Sequence, residues 1–306
     1  MNKLLRLRNG FLTVAILFTL ILASCHTGGK GVKKEADTVT VNKGNAAIYE
    51  DMKQAEKIFY TLPSPLESAM LIKSAGALFD DKLLNPVENT SNYHTNKSMA
   101  LNLGVYTCDL SFASLYDQTQ LIINYMNAAK KMADGLGILQ AIEQEDIDKL
   151  EENIHNTDVI MDIVSQTYLN SNSYLEDNGQ PAIAAIVLVG GWMEGLYIST
   201  RLVDMKEFNG NKLVGRIIDQ KLSVGILINL LETSKGNPAI DELIAQVKKV
   251  KTIFDKITLK TSPVRPEYDQ VANVTVLKSE VKADLTPEVF KELSQAVSEI
   301  RSTFVK

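Results

Sequence analysis

Apolar residues recur at helical spacing from Ala46 to the C-terminus, while the strict alternation of a half-buried strand is almost absent. The chain therefore predicts an all-α fold, a multi-helix antiparallel array or bundle. Ser64-Pro65-Leu66-Glu67 is a capping box with proline at the first helical position, and starts a helix through Ala75. Asp80 to Thr95, rich in Asn and containing Pro86, predicts a loop. From Lys97 to about Asp134 the apolar pattern continues as one long helix or two nearly collinear ones, ended by Gly135 and Gly137. Glu143 to His155 predicts a short charged helix with Ile147, Leu150 and Ile154 on one face. Asn156 or Thr157 caps the next, which runs to about Tyr174 before the Asp177-Asn178-Gly179 turn.

Pro181 to Val203 is the most apolar stretch after the N-terminus. The uninterrupted run Ala182 to Met193 falls short of the roughly 18 residues that suggest a membrane span, so a central buried helix is the better reading. Two later helices have narrower seams. Ile240, Leu243, Val247, Val250, Phe254 and Ile257 form one, and Phe290, Leu293, Val297, Ile300 and Phe304 the other, as expected of outer members of the array. Asn237-Pro238 and Thr286-Pro287 cap their starts. Between them Leu259 to Asp284, with Pro263, Pro266 and the run Val271 to Val276, either crosses the surface extended or forms a short helix.

An internal echo is also present. Gly104, Tyr106, Leu110, Ala113 and Ser114 match the spacing of Gly190, Trp192, Leu196, Ser199 and Thr200. Small residues at these steps let helices approach closely, which explains Gly190-Gly191 better than phosphate binding does. If the echo is a true duplication, it predicts two similar helical halves related by a pseudo-twofold axis, or a degenerate helical-repeat array.

The first 25 residues change the picture. Lys3, Arg6 and Arg8 precede an apolar run, Phe11 to Ala23, that is too short for a comfortable span of about 20 residues. Leu22-Ala23-Ser24-Cys25 resembles the lipobox of bacterial lipoproteins. The implied organisation is a signal peptide over 1–24, a lipidated Cys25 with a flexible tether over 25–45, and a single all-helical domain over 46–306. With the segment Leu101 to Leu110 and the closing helix that starts at Leu285-Thr286-Pro287-Glu288, the chain resembles Bacteroidota lipoproteins that carry no assigned activity. That resemblance implies an outer-membrane lipoprotein facing the periplasm or the outside, and by motif it carries over Cys25 alone.

Loss of residues 1–24 removes three positive charges and takes the net charge from −5 to −8, which argues against nucleic acid as a partner. The expected partners are the membrane, through the lipid on Cys25, and a protein or other envelope component. No cofactor is expected beyond that lipid. Cys108, among Tyr106, Leu110 and Phe112, reads as a buried small hydrophobe rather than a nucleophile. No Gly-rich phosphate loop, Gly-x-Ser-x-Gly elbow or paired metal motif occurs, so binding is favoured over catalysis. Glu152 and His155 have the i, i+3 separation of di-iron bundles, but stand in one copy in a charged helix, as a solvated face would.

The candidate site is a set of acids placed where the helical wheel predicts apolar surroundings. With Leu103 at zero and about 100° per residue, Asp109 falls at about 240° and Asp117 at about 320°, among Tyr106, Leu110 and Leu121. The polar sector holding Thr107, Ser111, Ser114 and Gln118 lies elsewhere. Glu194 falls between Ile183 and Val187, with Arg201 two turns along the same face. Asp109, Asp117, Glu194 and Arg201 thus form a candidate buried polar cluster. Either the acids converge on a metal or cationic ligand, or, as buried charge more often requires, each meets a base such as Arg201 or a backbone group and fixes helix register.

Overall fold

A computed structural model describes residues 62–142, 144–261, 265–269, 274–278 and 281–306. Residues 1–24, expected as a signal peptide, and Cys25 with the expected tether over 25–45 lie outside the described residues. The body is all-α, and its helices are α1 (Pro65–Ser74), α2 (Asn96–Leu115), α3 (Thr119–Gly135), α4 (Gln144–Glu152), α5 (Thr157–Asp177), α6 (Pro181–Arg201), α7 (Lys212–Glu232), α8 (Pro238–Phe254) and α9 (Pro287–Phe304). The starts follow from local chemistry. Ser64 accepts from the Glu67 N–H while Glu67 accepts from the Ser64 N–H, closing the capping box of α1. Thr95, Asn156, Asn211, Asn237 and Thr286 likewise accept a first-turn N–H of their helices.

The stretch expected to be one helix or two collinear ones folds back on itself. Helix α2 ends at Leu115, and Asp117 takes a left-handed φ of 55°. Helix α3 then returns antiparallel, with Tyr125 beside Tyr106 (ring centroids 6.1 Å apart) and Gly135 against Met99. A left-handed residue reverses direction where a helix would continue it. Lys73 from α1 donates to the Leu115 carbonyl at this C-terminus and lies over the Tyr116 ring.

Helices α2 and α6 form the centre. Every residue from Ala100 to Leu115 is buried, as are most of α6. Helix α6 is long and apolar enough to cross a membrane, yet 78% of its apolar window is buried inside the chain. The hydroxyls of Thr107, Ser111 and Ser114 donate to the carbonyls of Leu103, Thr107 and Leu110. Bonds to the helix's own backbone explain why a sector polar by sequence is buried in α2.

The two central helices run parallel, since Leu101 meets Gly190, Gly104 meets Gly191 and Cys108 meets Gly195. Neither Gly104 nor Gly190 has room for a side chain. A Cβ on Gly104 would overlap the Val187 carbonyl oxygen and stand 2.6 Å from Gly191 N, and one on Gly190 would overlap the Leu101 carbonyl, 2.8 Å from its carbon. These contacts exchange under the spacing of the sequence echo, which carries Gly104 to Gly190 and Leu101 to Val187. The same shift carries α2 onto α6 almost end to end, so the central pair is related by a local pseudo-twofold along the helices.

Helices α8 and α9 flank this centre, and their apolar seams are buried. Lys221 of α7 donates to the Phe254 and Ile257 carbonyls and so satisfies the C-terminus of α8. Between α8 and α9 the described residues form four short strands in two antiparallel pairs. Thr258–Thr261 (β1) pairs with Val281–Asp284 (β4), and Arg265–Asp269 (β2) with Val274–Lys278 (β3). Val274, Thr275, Val276 and Val281 supply β-branched positions.

Candidate functional site

Parallel close packing places residues near 108 and 109 across from 194 and 195, and this brings two of the four sequence candidates together. Asp109 on α2 and Glu194 on α6 are both fully buried. Their base is Arg301 of α9. Its Nε donates to Glu194 Oε2 at 2.8 Å and its Nη2 to Glu194 Oε1 at 2.7 Å, the bidentate fork of a strong pair. Nη2 also donates to the Leu83 carbonyl at 3.2 Å, and the guanidinium stacks 4.6 Å from the Tyr197 ring centroid.

The other two candidates lie elsewhere. Asp117 is exposed in the reversal after α2, accepting from the Thr157 hydroxyl at 2.6 Å, because the helix that the wheel continued has ended. Arg201 is exposed at the last turn of α6. The residue missed by sequence was Arg301, although the same wheel argument was available for it. With Phe290 at zero, Arg301 falls at about 20°, next to Phe290 and Val297 on the apolar side of α9.

The Asn-rich segment before α2 is the seat of this centre rather than a free surface loop. Its short 3-10 turns, Asp81–Leu83 and Val87–Asn92, flank fully buried Asn85. The Asn85 N–H donates to Asp109 Oδ2 at 3.0 Å, and its side-chain amide donates to Tyr93 Oη and to Asn102 Oδ1. Asn102 in turn donates to the Phe304 carbonyl at 2.8 Å, and Asn89 donates to Asn85 Oδ1 and the Val305 carbonyl. The C-terminal end of α9 is thus stitched to the segment in front of α2 by amides, while Arg301 ties it to α6.

The charge balance decides the protonation of this centre. Glu194 and Arg301 offset one another, whereas a second carboxylate would leave one net buried charge. Burial, and then the Glu194 charge, push the Asp109 carboxyl well above the usual carboxylate range, against the pull of Arg301 and the Asn85 N–H. Asp109 Oδ1 has no donor facing it, while the Asp109 and Glu194 carboxyls lie within hydrogen-bonding reach. A proton held on Asp109 makes a carboxyl–carboxylate hydrogen bond that two anions lack, so we describe the centre as Glu194 anion, Arg301 cation and neutral Asp109. Burial likewise pushes the Cys108 thiol up and keeps it un-ionised.

This assignment gives a stability prediction with a definite sign. The folded chain keeps a proton on Asp109 that the unfolded chain releases above about pH 4, so stability falls as pH rises from there through the raised folded value. The Asp109→Asn variant should lose that contribution. The gap between the variant and the parent in urea unfolding should change across this window with a slope of up to about 1.4 kcal/mol per pH unit. Parallel stability curves would refute the neutral acid.

Among the described residues no group of three His, Cys, Asp or Glu gathers in a metal-ligating arrangement. Helix α4 ends at Glu152, so His155 lies beyond it and the helical i, i+3 relation is lost; both residues are exposed. What the centre can do chemically is hold charge, hold a proton and fix the register of α2, α6 and α9. No protein-family model, curated protein or solved structure matches this chain.

Proposed function

We propose that the chain is a lipid-tethered helical module of the bacterial outer membrane, facing the periplasm or the outside, that binds a protein or another envelope component. The observation that supports binding over catalysis is the state of its polar centre. Both Glu194 oxygens are engaged by Arg301, and Asp109 lies beside them under full burial, so the charged groups of this centre are spent on one another. A neutral, un-ionised Cys108 fits the same role. The basic start, apolar run and Leu22-Ala23-Ser24-Cys25 support the tether, and the net charge of −8 after residue 24 supports a partner other than nucleic acid.

The tether is tested by feeding cells a labelled fatty acid and comparing the chain with its Cys25→Ala variant. The parent should carry the label and fractionate with the outer membrane, and the variant should lose both. An unlabelled parent, or a variant that keeps the label, refutes the lipoprotein reading. Binding is tested in the same cells with photocrosslinkers on the exposed surface, where one partner recovered from several adjacent positions is the expected result. Absence of any specific adduct would contradict it.

A further inference from the structure

A crevice separate from the Asp109–Glu194–Arg301 centre lies among α2, α3, α4 and α5 and reaches Val187 of α6. Its volume is about 80 Å³, several times the 10–15 Å³ that admits one water. Most of its wall is apolar, with Leu110, Met126, Ile147 and Leu150 among the side chains that face it. Thr107, Thr167 and Ser171 add hydroxyls to that wall, and two larger polar side chains break it. Tyr168 and Asn172 stand one turn apart on the inner face of α5, and both are more than nine-tenths buried. Tyr168 Oη and Asn172 Nδ2 make no well-formed hydrogen bond, although the two side chains lie close enough to interact with one another. A buried polar atom left unpaired costs roughly 1–3 kcal/mol, so two on one cavity wall point to an absent occupant.

The chemistry of the wall selects that occupant. The amide NH2 can only donate and the phenol O–H can donate as well as accept, so one acceptor oxygen in the crevice would satisfy both. The charged residues that line the crevice, Lys130 and Asp146, are partly exposed and of opposite sign. A full negative charge beside neutral Tyr168 and Asn172 would be desolvated without a buried cation to balance it. The remaining wall favours an alkyl chain. We propose that this crevice binds a short-chain acyl compound through a neutral carbonyl, an ester or amide, held by Tyr168 and Asn172. The site stands on the crevice alone and does not depend on the tether or on a protein partner.

The test uses the full chain purified in a bile-salt detergent, which has no flexible acyl chain to compete. Thermal unfolding is followed with methyl hexanoate, hexanamide, hexanoate at pH 8 and hexylamine. The carbonyl probes should raise the midpoint, and the stronger of ester and amide identifies the source. Hexanoate should bind at least about tenfold more weakly, and hexylamine, which has no acceptor oxygen, should do nothing. Tyr168→Phe and Asn172→Leu should each weaken binding about tenfold, the effect of one hydrogen bond. Neither should lower the stability of the free protein, because each removes an unpaired buried atom. Leu150→Trp, which fills the crevice, is the second route should either polar variant fail to fold, and should abolish protection. Protection by neither carbonyl probe would overturn the proposal, as an ordered water satisfying both donors would produce. So would equal protection by hexanoate, protection undiminished in Tyr168→Phe, or protection that survives in Leu150→Trp.

Discussion

Replacing Arg301 by methionine should cost the fold about 3–5 kcal/mol, the largest effect expected of any single side-chain change in this chain. Methionine fills the volume but leaves Glu194 with two oxygens and no donor from α9, in a place that is fully buried. The Leu83 carbonyl loses its guanidinium partner, and the Tyr197 ring loses its cation. Pairing Arg301→Met with Glu194→Leu should recover most of the loss, because a buried ion pair replaced by apolar groups of similar volume is often neutral or stabilising. The two single changes should therefore be strongly non-additive, with a coupling of about 2–3 kcal/mol in a double-mutant cycle measured by denaturant unfolding. Additive losses would mean that the two side chains act independently.

The second large effect is steric. Gly104→Ala should destabilise by about 3 kcal/mol, at the upper end of overpacking costs, because the new Cβ meets main chain on α6, which has no rotamer to give. Gly190→Ala should cost about the same, since its Cβ meets the matching carbonyl of Leu101 on α2. The double variant should lose less than the sum, because one separation of the two helices relieves both overlaps. Gly225→Ala in α7 is the control. There a Cβ meets nothing within 4 Å, and the gain in helix propensity should stabilise by about 0.5–1 kcal/mol. Equal responses at Gly104 and Gly225 would contradict the close approach of α2 and α6. The two predictions are linked, because the glycine contact sets the register that puts Asp109 opposite Glu194.

How far the sequence exposes this architecture depends on the range of the interaction. Local signals were strong. The Ser64–Glu67 box, the asparagine and threonine caps and the apolar seams of α8 and α9 are short-range chemistry, and the elements begin where that chemistry places them. The depth of α6 was also legible, because a helix apolar all round has to be surrounded. The echo of Gly104 in Gly190 was visible as spacing, but only the fold shows that these two glycines pack in one symmetric contact.

The failures are tertiary. A single left-handed residue, Asp117, turns a collinear expectation into a hairpin, and aspartate carries no signal for it as strong as glycine would. That reversal also removes Asp117 from the candidate cluster. Arg201 was selected because it shares a helix with Glu194, yet the partner that reaches Glu194 is Arg301, more than a hundred positions away in sequence. A wheel orders residues within one helix and cannot pair helices. Asn85 and Tyr93 were hidden for a related reason, since an Asn-rich segment reads as a turn unless its amides are known to meet buried carboxyl and carbonyl groups, and Asn102 in α2 was hidden because its partners lie in that segment and at the end of α9.

The most direct test of the buried centre is infrared spectroscopy of the carboxyl groups in the folded chain near pH 7, with Asp109→Asn as the reference. The parent should show the carbonyl stretch of a protonated, water-shielded carboxylic acid, and Asp109→Asn should lose that band. A parent spectrum without a protonated acid at this pH would mean that Asp109 and Glu194 are both anions, and would contradict the closed, charge-balanced centre on which the binding-module reading rests.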